Sequence, residues 1–166
     1  KCLSFIGSGN LYETNYCWDG KCCRTSVVQE ALLQFFPVEE VVLFTTEGAA
    51  ATNYPGVAER VPGCRRVGIP DGRSEEELWD IFKIICAEVQ PGDEILFDIT
   101  HGFRSLPFVA FLTMAYLKET KGVKLCRVVY GAYEARDETG TPIFDLTPFI
   151  SILDWFAAVR SFVEHV

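Results

Sequence analysis

Apolar residues along the chain fall into short buried runs that alternate with stretches of helical spacing. Lys1–Ile6 reads as a strand broken at once by Gly7-Ser8-Gly9-Asn10, and residues 11–24 as a polar, aromatic and cysteine-rich loop or hairpin. Val28, Ala31, Leu32, Phe35 and Phe36 then recur on one face of a helix that Pro37 ends. Glu40–Thr46 reads as a second buried strand. The small-residue segment Gly48–Thr52 reads as a loop into a weak helix near Gly56–Val61, and Arg66–Ile69 as a short strand closed by Pro70-Asp71-Gly72.

Ser74-Glu75-Glu76-Glu77 is a capping box opening a helix whose Leu78, Ile81, Phe82, Ile85 and Val89 share a face, stopped at Pro91-Gly92. A strand at Glu94–Ile99 precedes a helix from about Ser105 to Lys118. Lys124–Ala135 reads as a long strand, turned at Asp137–Gly140 into Ile143–Leu146, and a last helix runs from Pro148 onward. Alternating strands and helices predict an α/β fold: a mainly parallel sheet covered on both faces, with a C-terminal β-hairpin and a closing helix. At 166 residues this is one domain, 1–166, without repeats. The helices over Leu106–Leu117 and Phe149–Val166 are apolar on more than one stripe, which in so small a domain calls for a self-association surface as well as a core.

Fifteen Lys and Arg against 23 Asp and Glu leave a net charge of −8, the wrong sign for a surface that tracks long nucleic acid. A compact anionic ligand stays open, because a pocket needs only a few local donors. Seven cysteines, none in a C-x-x-C pair, and two histidines argue against structural zinc and for reduced thiols in a cytoplasmic protein. No signal peptide and no membrane-length apolar run are legible, and no metal or cofactor is expected. The first residue is Lys rather than Met, as in a processed or trimmed chain.

In open α/β sheets ligands meet the carboxyl ends of strands, where loops feed helix N-termini. Three segments place small polar residues there. Gly7-Ser8-Gly9-Asn10 is not a dinucleotide fingerprint, since Tyr12 stands where the third glycine belongs, and an ordinary strand-ending turn explains it equally well. Thr45 and Thr46 offer hydroxyls to a ligand or cap the next turn. Asp98-Ile99-Thr100-His101-Gly102-Phe103-Arg104-Ser105-Leu106-Pro107 is the informative one. It joins a buried strand to a helix, Gly102 permits close approach, and Arg104 presents a guanidinium fork among Thr100, His101 and Ser105. The plainer alternative has Asp98 and Ser105 as caps and His101 as a hydrogen-bonded core imidazole.

Asp98, His101 and Ser105 do not make a serine-hydrolase triad: they crowd into eight residues and no G-x-S-x-G elbow occurs. A flavodoxin-like mononucleotide site lacks its Ser/Thr/Gly phosphate loop. The Arg160-x4-His165 spacing, used by some metal-independent ribonucleases, arises readily by chance within one helix.

Ser4–Tyr12, then Asp98–Pro107, then Tyr130-Gly131-Ala132-Tyr133-Glu134-Ala135, and last Asp145-Leu146-Thr147-Pro148-Phe149 with Asp154-Trp155, follow in an order and spacing that is similar to a known family. The chain resembles the CRISPR-associated Rossmann-fold (CARF) domain of type III CRISPR ancillary effectors. The resemblance implies a Rossmann-like three-layer sandwich and a homodimer, formed through the 105–118 and 148–166 helices. Across its two-fold axis it would sense a cyclic oligoadenylate, with cyclic tetra-adenylate favoured as the ligand. It carries Gly7, Ser8, Gly9, Asn10, Thr45, Thr46, Thr100, His101, Gly102, Phe103, Arg104 and Ser105 over as ligand-binding positions. It also implies an antiviral effector domain following residue 166 and residues 148–166 as the connector to it. No long nucleic acid or membrane would touch this domain. Some relatives cleave their own ligand by ribose 2′-hydroxyl attack, which makes Ser8, His101 and Arg104 the candidates for a ring-nuclease reaction.

Overall fold

Residues 2 to 6, Cys-Leu-Ser-Phe-Ile, lie inside the protein as β1 (Cys2–Ile6), buried at every position because helices cover both faces of the sheet it belongs to. The computed structural model describes residues 1–102 and 105–164, except for the side chains of Leu153, Asp154, Ala157 and Glu164. β2 (Thr14–Trp18) and β3 (Lys21–Thr25) form a hairpin, followed by α1 (Val28–Phe35), β4 (Val41–Thr45), α2 (Glu47–Thr52), α3 (Tyr54–Arg60) and β5 (Arg65–Gly68). The second half runs α4 (Glu75–Ala87), β6 (Glu94–Asp98), α5 (Leu106–Lys121), β7 (Lys124–Gly131), a 3-10 turn at Tyr133–Ala135, β8 (Thr141–Asp145) and α6 (Thr147–Glu164).

Among the described residues the strands make one eight-stranded sheet in the order β3-β2-β8-β7-β6-β1-β4-β5. β1 pairs in parallel with β4 and β6, β4 with β5, β6 with β7, and β2 with β8; β7–β8 and β2–β3 are antiparallel. This is the expected α/β architecture, a Rossmann-like sandwich with a mainly parallel sheet and a hairpin of β7 and β8.

The two-residue period sorts each strand between two cores. Leu3, Phe5, Val42, Phe44, Ile95 and Phe97 face Ile81 and Ile85 of α4 and Ala110, Met114 and Leu117 of α5. Cys2, Ile6, Val41, Leu43, Leu96 and Val129 face Val28, Ala31 and Leu32 of α1, with Ala49 of α2 and Val57 of α3. Phe5 anchors the first core between Phe44 and Phe97, with ring centroids 5.3 and 5.7 Å away.

Three expectations are corrected. Gly48–Thr52 lies in a helix, because the Thr46 hydroxyl accepts from Ala49 N at 3.3 Å and an alanine run follows. The strand expected to reach Ala135 stops at Gly131, where the chain coils into the 3-10 turn. Cys17 and Cys22, read as reduced thiols, form a disulfide. Asp19 and Gly20, at φ 47° and 74°, make a two-residue turn that sets Cys17 opposite Cys22 with Cα atoms 4.2 Å apart.

Some apolar surface stays uncovered. Trp79 of α4 and Phe108, Leu112 and Tyr116 of α5 flank an apolar groove of about 570 Å³, and α6 exposes Phe149, Trp155, Phe156, Phe162 and Val163. Among the described residues no helix is long and apolar enough to cross a membrane.

Candidate ligand cleft at the strand switch point

From β1 the chain runs through the β2–β3 hairpin and α1 to β4 on one side of it, and later returns to β6 on the other side. α1 and α5, the first helices after β1 and β6, pack on opposite faces of the sheet, which leaves a crevice between the two strand ends. A cleft of about 400 Å³ opens there, lined by Gly7, Ser8, Gly9, Asn10, Leu11, Thr46, Asp71, Arg73 and His101. The first and third sequence segments meet in it: a Cβ built on Gly7 would sit 3.7 Å from the His101 carbonyl oxygen. Another built on Gly48 would sit 3.7 Å from Ser8 Cβ, so the first turn of α2 closes the side of the cleft.

A buried polar cluster on the α1 side of the sheet ties the ends of β1 and β6 together next to the cleft. Ser4 and Asp98 are register partners in β1 and β6, and Ser4 Oγ donates to Asp98 Oδ2 at 2.5 Å. Gln29 of α1 donates from Nε2 to Ser4 Oγ at 2.8 Å. The other Asp98 oxygen accepts from Thr100 N at 2.9 Å and Thr100 Oγ1 at 2.5 Å. Thr100 Oγ1 in turn accepts from Gly131 N at 2.8 Å, which ties the segment after β6 to the end of β7. A side chain at 131 would break that approach, since a Cβ there would lie 2.9 Å from the Tyr16 ring and 3.1 Å from Thr100 Cγ2.

Burial pushes the Asp98 carboxyl above its ordinary range, with the Ser4 and Thr100 donors working against that. Burial pushes His101 the other way, below the ordinary imidazole value, with Asp98 opposing. His101 is thus neutral at the cleft wall, and its Nε2 is buried without a hydrogen-bond partner. The alternative of a hydrogen-bonded core imidazole does not describe that nitrogen. Neither Asp98 nor Ser105 caps a helix through its side chain, since Asp98 is spent on Ser4 and Thr100 and Ser105 makes no side-chain cap bond.

Of the candidate positions, Gly7, Ser8, Gly9, Asn10, Thr46 and His101 line the cleft. Thr45 lies beneath it, fully buried, with Oγ1 lacking a partner. Thr100 serves the buried cluster, and Gly102 donates from N to the Ile99 carbonyl at 3.2 Å in the turn before α5. Phe103 and Arg104 lie outside the described residues.

Two contributions escaped the sequence reading. Asn53, between α2 and α3, donates from Nδ2 to the carbonyls of Gly7 and Gly9, each at 2.7 Å, and pins the loop after β1. Asp71 and Arg73 enter from the loop after β5. A signal for that pair existed, because Pro70-Asp71-Gly72 closes a predicted parallel strand as the three candidate segments do. Asn53 had none, since its partners are backbone atoms 44 and 46 residues away. Among the described residues no group of three His, Cys, Asp or Glu is placed to hold a metal ion.

No family model matches the chain. It is similar to the CRISPR-associated protein MJ1674 of Methanocaldococcus jannaschii, 35% identical over 98 residues. That stretch covers 57% of this chain and 16% of the relative, so the match takes in about a sixth of the relative's length.

Proposed function

We propose that this chain is the ligand-sensing domain of a CRISPR-associated protein, and that its cleft binds a cyclic oligoadenylate. The observation that carries the reading is the meeting of the Gly7–Asn10 loop with His101 at the switch point of a Rossmann-like sheet, next to the buried cluster of Ser4, Asp98 and Thr100 at the strand ends. Glycines there let a bulky phosphodiester ring approach the backbone, and Ser8, Asn10 and Thr46 offer hydroxyl and amide groups to ribose and base edges. The relative's name, CRISPR-associated protein, supports the same setting.

In this reading two copies meet through α5 and α6, whose exposed apolar residues then find cover, and one ring spans the two clefts. An effector domain following α6 receives the signal. Calorimetric titration of cyclic tetra-adenylate and cyclic hexa-adenylate, with the linear oligomers as controls, tests it. Tight binding of one ring per two chains is expected; a folded sample that releases heat with no ring overturns it.

One observation favours a second reading, slow cleavage of the ring. His101 lines the cleft and its neutral ring has a buried, unpartnered Nε2, which a turn of the side chain would present to a ligand as a base. It would take the proton of a ribose 2′-hydroxyl as that oxygen attacks the adjacent phosphorus, giving a 2′,3′-cyclic phosphate and a 5′-hydroxyl that regains a proton. Chromatography after hours of incubation separates the readings: linear product favours the nuclease, intact ring the sensor.

A further inference from the structure

We propose that Arg73 is the residue with which the β5 side of the cleft grips a ligand phosphate, and that Asp71 holds its guanidinium until the phosphate arrives. The inference rests on the reading of the cleft as an oligonucleotide-ring site and names a contact that this reading leaves unassigned. A ring of phosphodiesters carries one negative charge per phosphate, and the described lining is poor in compensation. Gly7, Ser8, Gly9, Asn10, Leu11 and Thr46 are neutral, His101 is held neutral, and Asp71 is itself acidic. Among the described residues of the lining, Arg73 alone carries a positive charge.

Its two halves are held differently. The backbone N of Arg73 donates to Glu77 Oε2 at 2.7 Å, which fastens the loop to the first turn of α4. The side chain is 81% exposed and, among the described residues, meets only the Asp71 carboxylate, at 2.8 Å. An ion pair this open to water is weak, so exchanging a carboxylate for a phosphate costs little. The guanidinium fork matches two phosphate oxygens at once, which a lysine cannot do. Asp71 then acts as a competitor that keeps adventitious single anions out and yields to a multivalent ligand.

The test uses the chain itself, with folding of each variant checked by circular dichroism, and both loop positions are exposed enough to tolerate change. Ring affinity is measured by calorimetry across a range of salt concentrations for the unaltered chain and for Arg73→Ala, Arg73→Lys and Asp71→Asn. Arg73→Ala is expected to weaken binding about ten- to a hundred-fold. It also lowers the slope of log affinity against log salt by about one, the signature of a lost phosphate contact. Arg73→Lys falls between, and Asp71→Asn binds more tightly than the unaltered chain. Unchanged affinity and salt slope in Arg73→Ala, with the unaltered chain binding normally, overturns the inference and leaves the ring reading standing. Tripolyphosphate serves as a second probe. If it binds in an Arg73-dependent way while no ring does, the ring reading fails and the Arg73 contact holds. If neither probe binds, both fail.

Discussion

Ser4 and Asp98, 94 residues apart in the chain, face one another across adjoining parallel strands and share a 2.5 Å hydrogen bond next to the cleft, both fully buried. Asp98 gathers its donors there from β1 and from the segment after β6.

Replacing Asp98 by alanine removes the acceptor of the fully buried Ser4 Oγ and of the half-buried Thr100 N and Thr100 Oγ1. The expected loss of folding stability is about 2–4 kcal/mol. Ser4→Ala, which leaves Asp98 its Thr100 donors, is expected to cost about 1–2 kcal/mol. Urea denaturation of both single variants and the double variant measures this. Additive losses would show that the pair does not act as one unit.

His101 gives the stability a pH dependence of definite sign. Its folded-state pKa lies below the ordinary 6.5, so as pH falls through that value the unfolded chain takes up a proton that the folded chain refuses. Stability contributed above pH 6.5 is therefore lost on acidification. The raised pKa of Asp98 acts in the opposite sense from 3.8 upward, which is why the comparison is made against His101→Gln. The urea midpoint of the unaltered chain is expected to drop between pH 7 and 5.5 more steeply than that of the variant; parallel curves would reject a buried, neutral His101.

Asn53→Ala removes both hydrogen bonds that hold Gly7 and Gly9. About 1–2 kcal/mol of stability should go with them. The sharper readout is amide hydrogen exchange: Ser8, Gly9 and Asn10 are expected to exchange faster while the strands do not change. Uniform acceleration across the sheet would mean that Asn53 supports the fold at large rather than this loop.

Much of this was legible in the chain. Buried apolar runs in Lys1–Ile6 and Glu40–Thr46, helical spacing in α1 and α4, and the three polar strand ends marked both the sheet and the place where a cleft forms. What stayed hidden depends on contacts between distant segments. Asn53 looks like any helix-ending polar residue until the Gly7 and Gly9 carbonyls arrive beside it. The α2 helix was hidden because Gly48 weakens local propensity and the Thr46 cap outweighs it. The Cys17–Cys22 pairing was partly readable, since Asp19-Gly20 between two strand-like runs is a strong hairpin signal that fixes which residues stand opposite.

Gly131→Ala tests the close approach at the end of β7. The added methyl would meet the Tyr16 ring at 2.9 Å and Thr100 at 3.1 Å, both inside contact distance. Thermal denaturation is expected to show a loss of about 1–3 kcal/mol. A neutral result would mean that Tyr16 has room to turn aside.

The proposed dimer is tested on its helices. Phe108→Glu in α5 and Trp155→Glu in α6 each place a charge on exposed apolar surface, so neither threatens the core. Light scattering coupled to size exclusion is expected to show two chains per particle for the unaltered protein and one for the variants. A particle of one chain for the unaltered protein would remove the dimer.

The two ends of the sheet have a consequence for how copies of this chain can meet. Its outermost strands, β3 and β5, turn Lys21 and Arg24 at one end and Arg65 and Arg66 at the other toward water. Arg24 pairs with Glu13, and Arg65 with Glu40 and Glu88, so a strand added at either rim would have to disturb these ion pairs to reach the open backbone groups. The sheet is thereby closed to endless growth, and uncontrolled fibril-like addition is disfavoured at both rims. In the proposed dimer, association falls to the exposed apolar flanks of α5 and α6, which can satisfy one neighbour and then stop.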